Sequence, residues 1–144
     1  MDTIKPLFTA TATATGGRNG HTQAGDGSAS ADLSVPKAMG GPGKPGTTTP
    51  EPLFAAGYAA SAARSTSWAS STGRTPARRA LPPTCRSDRV TAAGFGVAVK
   101  LRVEDKTLPQ AELVALAEEA HEKICPYSHA IRGNVDVQLE IEGA

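Results

Sequence analysis

Cysteines and aromatic residues are scarce in this sequence. It holds two cysteines, Cys85 and Cys125, and six aromatics (one Trp, two Tyr, three Phe) among 144 residues. Two cysteines are too few for a disulfide framework and lack metal-ligand spacing, so no metal site is expected. No apolar run reaches the roughly 18 residues of a membrane-spanning helix. The opening Met1-Asp2-Thr3-Ile4-Lys5-Pro6 has no apolar core of a secretory signal. Net charge is only +1, which gives no overall field for nucleic acid or an anionic membrane. These absences lead to the expectation of a soluble cytoplasmic domain without nucleic-acid or membrane partners. A chain of this length is expected to form a single domain, residues 1–144, large enough to bury a core.

What is present falls into order along the chain. Residues 7–15 alternate threonine and alanine, a period-two pattern that predicts a strand with one face packed. Gly16-Gly17-Arg18-Asn19-Gly20 offers turn residues, so a hairpin is expected, with a return strand from about His21. A second turn at Asp26-Gly27 and a short strand ending at Leu33-Ser34-Val35 complete a predicted meander. Residues 37–50, dense in glycine and proline, read as a loop. Pro50-Glu51-Pro52 then opens a helix: proline suits the first turn, and Glu51 complements the positive end of the helix dipole. Leu53, Phe54, Gly57 and Tyr58 are expected to share one face of it.

The pattern then breaks. From Ser61 to Val90 there are six arginines against one acid, Asp88, and no glutamate or lysine. Trp68, Leu81 and Val90 are its only large apolar residues, and Pro76, Pro82 and Pro83 interrupt regular structure. Residues 61–91 therefore read as irregular or disordered. An arginine-rich window raises a nucleic-acid role, but one without interleaved aromatics is a weak signal.

Order returns at Gly94. Phe95, Val97, Val99, Leu101 and Val103 alternate with small or polar residues and predict a half-buried strand. Leu113, Leu116, Ala117, Ala120 and Ile124 recur at helical spacing up to Cys125-Pro126. Val135, Val137, Leu139 and Ile141 predict a final strand. The element order predicts an α+β domain.

Four segments together resemble the organic hydroperoxide resistance (Ohr) branch of the OsmC/Ohr family. They are the stretch from Leu7 through Gly16-Gly17-Arg18-Asn19-Gly20-His21; Pro50-Glu51-Pro52-Leu53-Phe54-Ala55-Ala56-Gly57-Tyr58-Ala59-Ala60; Gly94-Phe95-Gly96-Val97-Ala98-Val99; and Cys125-Pro126-Tyr127-Ser128-His129 through Val137. The match covers residues 4–60 and 92–142. The resemblance implies an antiparallel sheet wrapped around a central helix in an intertwined homodimer, with active sites at the subunit interface. It implies a thiol-dependent peroxidase of the oxidative-stress response that reduces organic and fatty-acid hydroperoxides. No bound cofactor is implied; a lipoylated protein or dihydrolipoamide serves as external reductant. A thiolate attacks the O–O bond, becomes a sulfenic acid and condenses with a second cysteine. An arginine–glutamate pair lowers the thiol pKa and stabilises the leaving alkoxide.

Carried onto this sequence, the arginine falls on Arg18, its partner on Glu51 and the resolving cysteine on Cys125. The peroxidatic cysteine position falls on Ser61, where the family has Cys followed by Phe and this chain has Ser61-Ala62. A serine hydroxyl is not ionised near neutral pH and cannot form a disulfide, so an impaired copy is expected. A reading-frame shift in the coding sequence accounts most simply for residues 61–91. A catalytically dead relative that binds a hydrophobic ligand or serves structurally is the alternative.

Overall fold

A computed structural model describes residues 5–69, 84–89 and 95–144, with the backbone alone for residues 67–69 and 84–89. The described chain divides into two compact units, Met1–Pro50 and Glu51–Ala144. Among the described residues no helix is long and apolar enough to cross a membrane.

The first unit is the expected meander. Strands β1 (Ala12–Thr15), β2 (His21–Ala24) and β3 (Ser30–Asp32) pair antiparallel in the order β1-β2-β3. The chain turns between β1 and β2 through a short 3-10 turn, Gly17–Asn19. Gly16 and Gly17 there take φ of 70° and 56°, a conformation that costs a residue with a Cβ. The second turn is tied by Asp26, whose carboxylate accepts from the backbone N–H of Ser28 at 2.9 Å and its hydroxyl at 2.6 Å. Strand β1 is shorter than the alternation in residues 7–15 predicts. Strand β2 ends opposite Ala12, so residues before Thr11 have no β2 partner to pair with. The threonine–alanine stripe of β1 is exposed on both faces, which corrects the expected packed face. Period two encodes an extended chain; what covers it is set elsewhere.

In the second unit, helix α1 (Pro50–Ala69) is followed by β4 (Thr84–Arg89), β5 (Phe95–Glu104), helix α2 (Gln110–Glu119), a π-helical turn (Ala120–Ile124), helix α3 (Pro126–Ile131) and β6 (Val137–Glu142). Strands and helices combine as the α+β class predicts. The sheet is mixed, which corrects the expected antiparallel one: β4 pairs antiparallel with β5, and β6 pairs parallel with it. The reason lies in the connection. Two helices lie between β5 and β6, long enough to carry the chain back to the same end, whereas a tight hairpin forces an antiparallel pair.

Helix α1 also corrects the irregular reading of residues 61–91, because it runs unbroken to Ala69 and β4 follows at Thr84. Ala62, Ala63 and Arg64 are strong helix formers. Ser65 and Thr66 are buried, yet both are satisfied inside the helix. The Ser65 hydroxyl donates to Ser61 O at 2.9 Å, and that of Thr66 to Ala62 O at 3.0 Å and Ala63 O at 2.9 Å. Such back-bonding lets a hydroxyl sit where an apolar side chain was expected. The rest of this expectation, residues 70–83 and 90–91, lies outside the described residues.

Two apolar clusters hold the second unit. Tyr58, Val99, Leu101 and Cys125 form one, with Phe54, Ala62, Ile131, Val135, Val137 and Leu139 against it. Val103, Leu108, Leu113 and Ala117 form the other, joined by Leu116 and Ile141. Strand β5 thus packs through Val99, Leu101 and Val103, while Phe95 and Val97 at its start are exposed. On α1, Phe54, Gly57 and Tyr58 turn inward, but Leu53 is exposed, one step off the predicted face.

Candidate active site

Cys125 sits at a bend that the sequence dictates. Proline at 126 disfavours helical geometry in the residue before it, and Cys125 is extended, with φ −71° and ψ 117°. The π-helical turn therefore stops at Cys125, and Pro126 starts α3 at a position where its missing N–H is not needed. Arg132 secures the bend by donating to the carbonyls of His121 and Glu122, at 3.0 and 2.6 Å. The thiol is 2% exposed.

Ser61 reaches the same point from α1. Its hydroxyl lies 3.4 Å from Cys125 Sγ, within reach for a bond to sulfur. Three turns of α1 position it: Phe54, Tyr58, Ser61 and Ser65 follow one another on the inward side. Tyr58, fully buried, has its hydroxyl 2.8 Å from that of Ser128 and 3.5 Å from His121 Nδ1. Tyr58 stacks on Tyr127, and Phe54 meets Tyr58 edge-on and Tyr127 at a tilt, with ring centroids 5.7–5.9 Å apart. Glycine at 57 permits this, because a Cβ there would stand 2.6 Å from the Tyr127 hydroxyl.

The surroundings lower the Cys125 thiol pKa. Burial pushes the Cys125 pKa up, but hydrogen bonds from the Ser128 and Ser61 hydroxyls and from the Ser128 and Tyr127 amides outweigh it, and the pKa falls below the ordinary thiol value. Ser128 has one proton. Donating it to sulfur leaves its oxygen to accept from Tyr58 O–H, giving a two-hydroxyl chain that ends on the thiolate. Burial first, and the charge of Arg132 second, lower the His121 pKa, so its imidazole stays neutral beside Tyr58. Burial likewise raises the Tyr58 pKa and keeps its hydroxyl a donor.

Of the four residues singled out in the sequence, Ser61 and Cys125 meet. Glu51 opens α1, half-buried, ten residues before Ser61. That is about 15 Å along a helix axis from Ser61. Arg18 lies exposed in the 3-10 turn of the first unit. The sequence marks Tyr58 only as a packing residue and gives no role to Ser128 or His121. Nothing in the sequence marks Ser128 beyond its place in the Cys125-Pro126-Tyr127-Ser128 motif, and the structure leaves it 1% exposed.

No protein-family model matches the chain. A curated relative, the organic hydroperoxide resistance protein of Xanthomonas axonopodis pv. citri, is 42% identical over 139 residues, covering 95% of this chain and 96% of the relative. The chain belongs to the OsmC/Ohr family. An organic hydroperoxide resistance protein of Legionella pneumophila, also described as a predicted redox protein, superposes with a TM-score of 0.88 at 41% identity. It covers 96% of this chain and 99% of that one. The Ohr-family protein OhrB of Bacillus subtilis matches with a TM-score of 0.84 and 39% identity, over 94% and 99% of the two chains.

Proposed function

We propose that this chain carries the architecture of a thiol-dependent organic hydroperoxide reductase with serine in the peroxidatic position, and that its own peroxidase cycle is therefore impaired. The observation that carries the reading is the 3.4 Å approach of Ser61 Oγ to Cys125 Sγ. A cysteine at 61 would bring a second sulfur to Cys125. In that two-thiol centre a thiolate displaces alkoxide from the peroxide O–O bond and becomes a sulfenic acid. The second thiol then displaces water from it, giving the disulfide, the alcohol and water. A lipoylated protein or dihydrolipoamide returns the pair to thiols. Ser61 cannot enter this sequence, because its hydroxyl supplies neither a thiolate nor a sulfur for the bridge.

Arg18 and Glu51 are proposed as the pair that favours the thiolate and the leaving alkoxide, in an intertwined cytoplasmic homodimer. The substrates are organic and fatty-acid hydroperoxides, and the rings of Phe54, Tyr58 and Tyr127 beside the thiol suit an alkyl chain. Those rings also support a second reading, a retained hydrophobic-ligand site without turnover, for which calorimetry with a fatty acid is the test. Purified protein supplied with dihydrolipoamide and an organic hydroperoxide is expected to show no turnover above a no-enzyme control. Turnover that disappears on Cys125→Ser would overturn the proposal. The reading-frame shift is tested separately by sequencing the locus. In-frame Cys-Phe codons after Ala60 support it, and an unambiguous serine codon at 61 refutes it.

A further inference from the structure

A second constellation of reactive groups lies wholly within the first unit. His21 on β2 is paired in register with Asp32 on β3, and Ser30 is two residues before Asp32. Directly paired residues, and residues two apart on one strand, share a face of the sheet. All three side chains therefore project together. Asp32 Oδ1 lies 2.7 Å from His21 Nδ1, and Ser30 Oγ lies 3.2 Å from His21 Nε2. With the carboxylate accepting from Nδ1–H, Nε2 carries the lone pair and accepts from the Ser30 hydroxyl. The order is hydroxyl, imidazole, carboxylate, the arrangement that activates a serine nucleophile.

The same three residues line a cavity of about 370 Å³, completed by Ala31, Gly46, Thr47 and Thr48. Its size admits a small molecule, and its lining of hydroxyl, carboxylate and imidazole groups suits a polar one. None of these groups belongs to the Ser61–Cys125 site, and none is used by the peroxidase chemistry.

We propose that Ser30, His21 and Asp32 form a serine-nucleophile site that hydrolyses small polar acyl esters. His21 Nε2 takes the proton of Ser30 as Oγ bonds to the ester carbonyl carbon. The tetrahedral intermediate collapses, the C–O bond to the alcohol breaks, and Nε2–H protonates the departing alkoxide. Water, deprotonated by the same nitrogen, attacks the acyl-serine and releases the carboxylic acid, so that ester and water become acid and alcohol. Ser30 and His21 are the catalytic residues; Asp32 is a positioning residue that holds the imidazole tautomer. The His21 and Asp32 side chains are 41% and 72% exposed, so water screens the relay and an activated ester is the fitting probe.

The test uses the full chain with p-nitrophenyl acetate, together with a fluorophosphonate probe and peptide mass mapping. The expected result is covalent labelling at Ser30, with hydrolysis falling to background in Ser30→Ala and about 100-fold in His21→Gln. Asp32→Asn is expected to lower kcat and leave KM unchanged. Each variant is compared with the parent by circular dichroism. If folded Ser30→Ala hydrolyses the ester as the parent does, or the probe leaves Ser30 unlabelled, the three residues only pin the register of β2 on β3 and the proposal fails.

Discussion

Residues 50–60 and residues 61–66 of α1 hold their inward faces by different means. In the first stretch the face is aromatic: Phe54 and the fully buried Tyr58 pack against Val99, Leu101 and Tyr127. In the second it is hydroxylic: Ser61, Ser65 and Thr66 occupy it, and Ser65 and Thr66 are 4% and 2% exposed. An aromatic face is stabilised by the area it removes from water. A hydroxyl face gains little area and survives because each hydroxyl has a partner, in the helix carbonyls for 65 and 66 and in Cys125 for 61. A helix can therefore outlast the apolar stripe that predicts it, while the chemistry carried by one position on it is lost.

Restoring the sulfur breaks the comparison most directly. Ser61→Cys is expected to raise organic hydroperoxide reduction with dihydrolipoamide from none to measurable turnover, with loss of two titratable thiols per chain on oxidation. A Ser61→Cys protein that folds but forms no 61–125 disulfide sinks the proposed pairing. Next in size is the aromatic half. Tyr58→Ala removes a fully buried ring and is expected to cost about 3–5 kcal/mol in chemical denaturation. A cost below about 1 kcal/mol would mean that Tyr58 is not part of the core.

The electrostatic effect of the hydroxyl half is smaller. Ser61→Ala removes a donor to the Cys125 thiolate and is expected to raise its pKa, read from thiolate absorbance as a difference against Cys125→Ser. The sign follows from linkage. A depressed folded pKa contributes stability above the ordinary thiol value, and that contribution is lost as pH falls through the folded value. An unchanged or lower midpoint in Ser61→Ala would show that the Ser61 hydroxyl does not donate to sulfur. Smallest is Ser65→Ala. Its acceptor, the Ser61 carbonyl, is in mid-helix, so removing the hydroxyl is expected to change stability by no more than about 1 kcal/mol. A cost above about 2 kcal/mol would instead tie Ser65 to a partner outside the helix.

Much of the fold was legible where side chains repeat at a clear period. The alternation from Phe95 to Glu104 is β5, and the turn residues between Thr15 and His21 join β1 to β2 as expected. Residues 61–66 carry no apolar period to read, because helix propensity at Ala62, Ala63 and Arg64 continues α1 while Ser65 and Thr66 satisfy their hydroxyls on its carbonyls. The parallel pairing of β6 with β5 was illegible for another reason: hydropathy marks which face is buried, not which way a strand runs. Of the candidate site, the identities of Ser61 and Cys125 came from motif resemblance. Nothing in the periodicity places them together.

Sequence alone determined the elements whose cause is local: the proline that bends the chain at Cys125, the glycines of the first turn, the Pro50-Glu51-Pro52 start of α1. It also determined that position 61 offers oxygen rather than sulfur. Tertiary structure decided which groups meet. Ser61 and Cys125 are 64 residues apart in the chain and 3.4 Å apart in space. Tyr58 and Ser128 are 70 apart and share a hydrogen bond. The register of β2 on β3 sets His21 between Ser30 and Asp32. A hydrogen bond acts over about 3 Å whatever the length of chain between its partners, so a site built of such bonds exists only once the chain has folded.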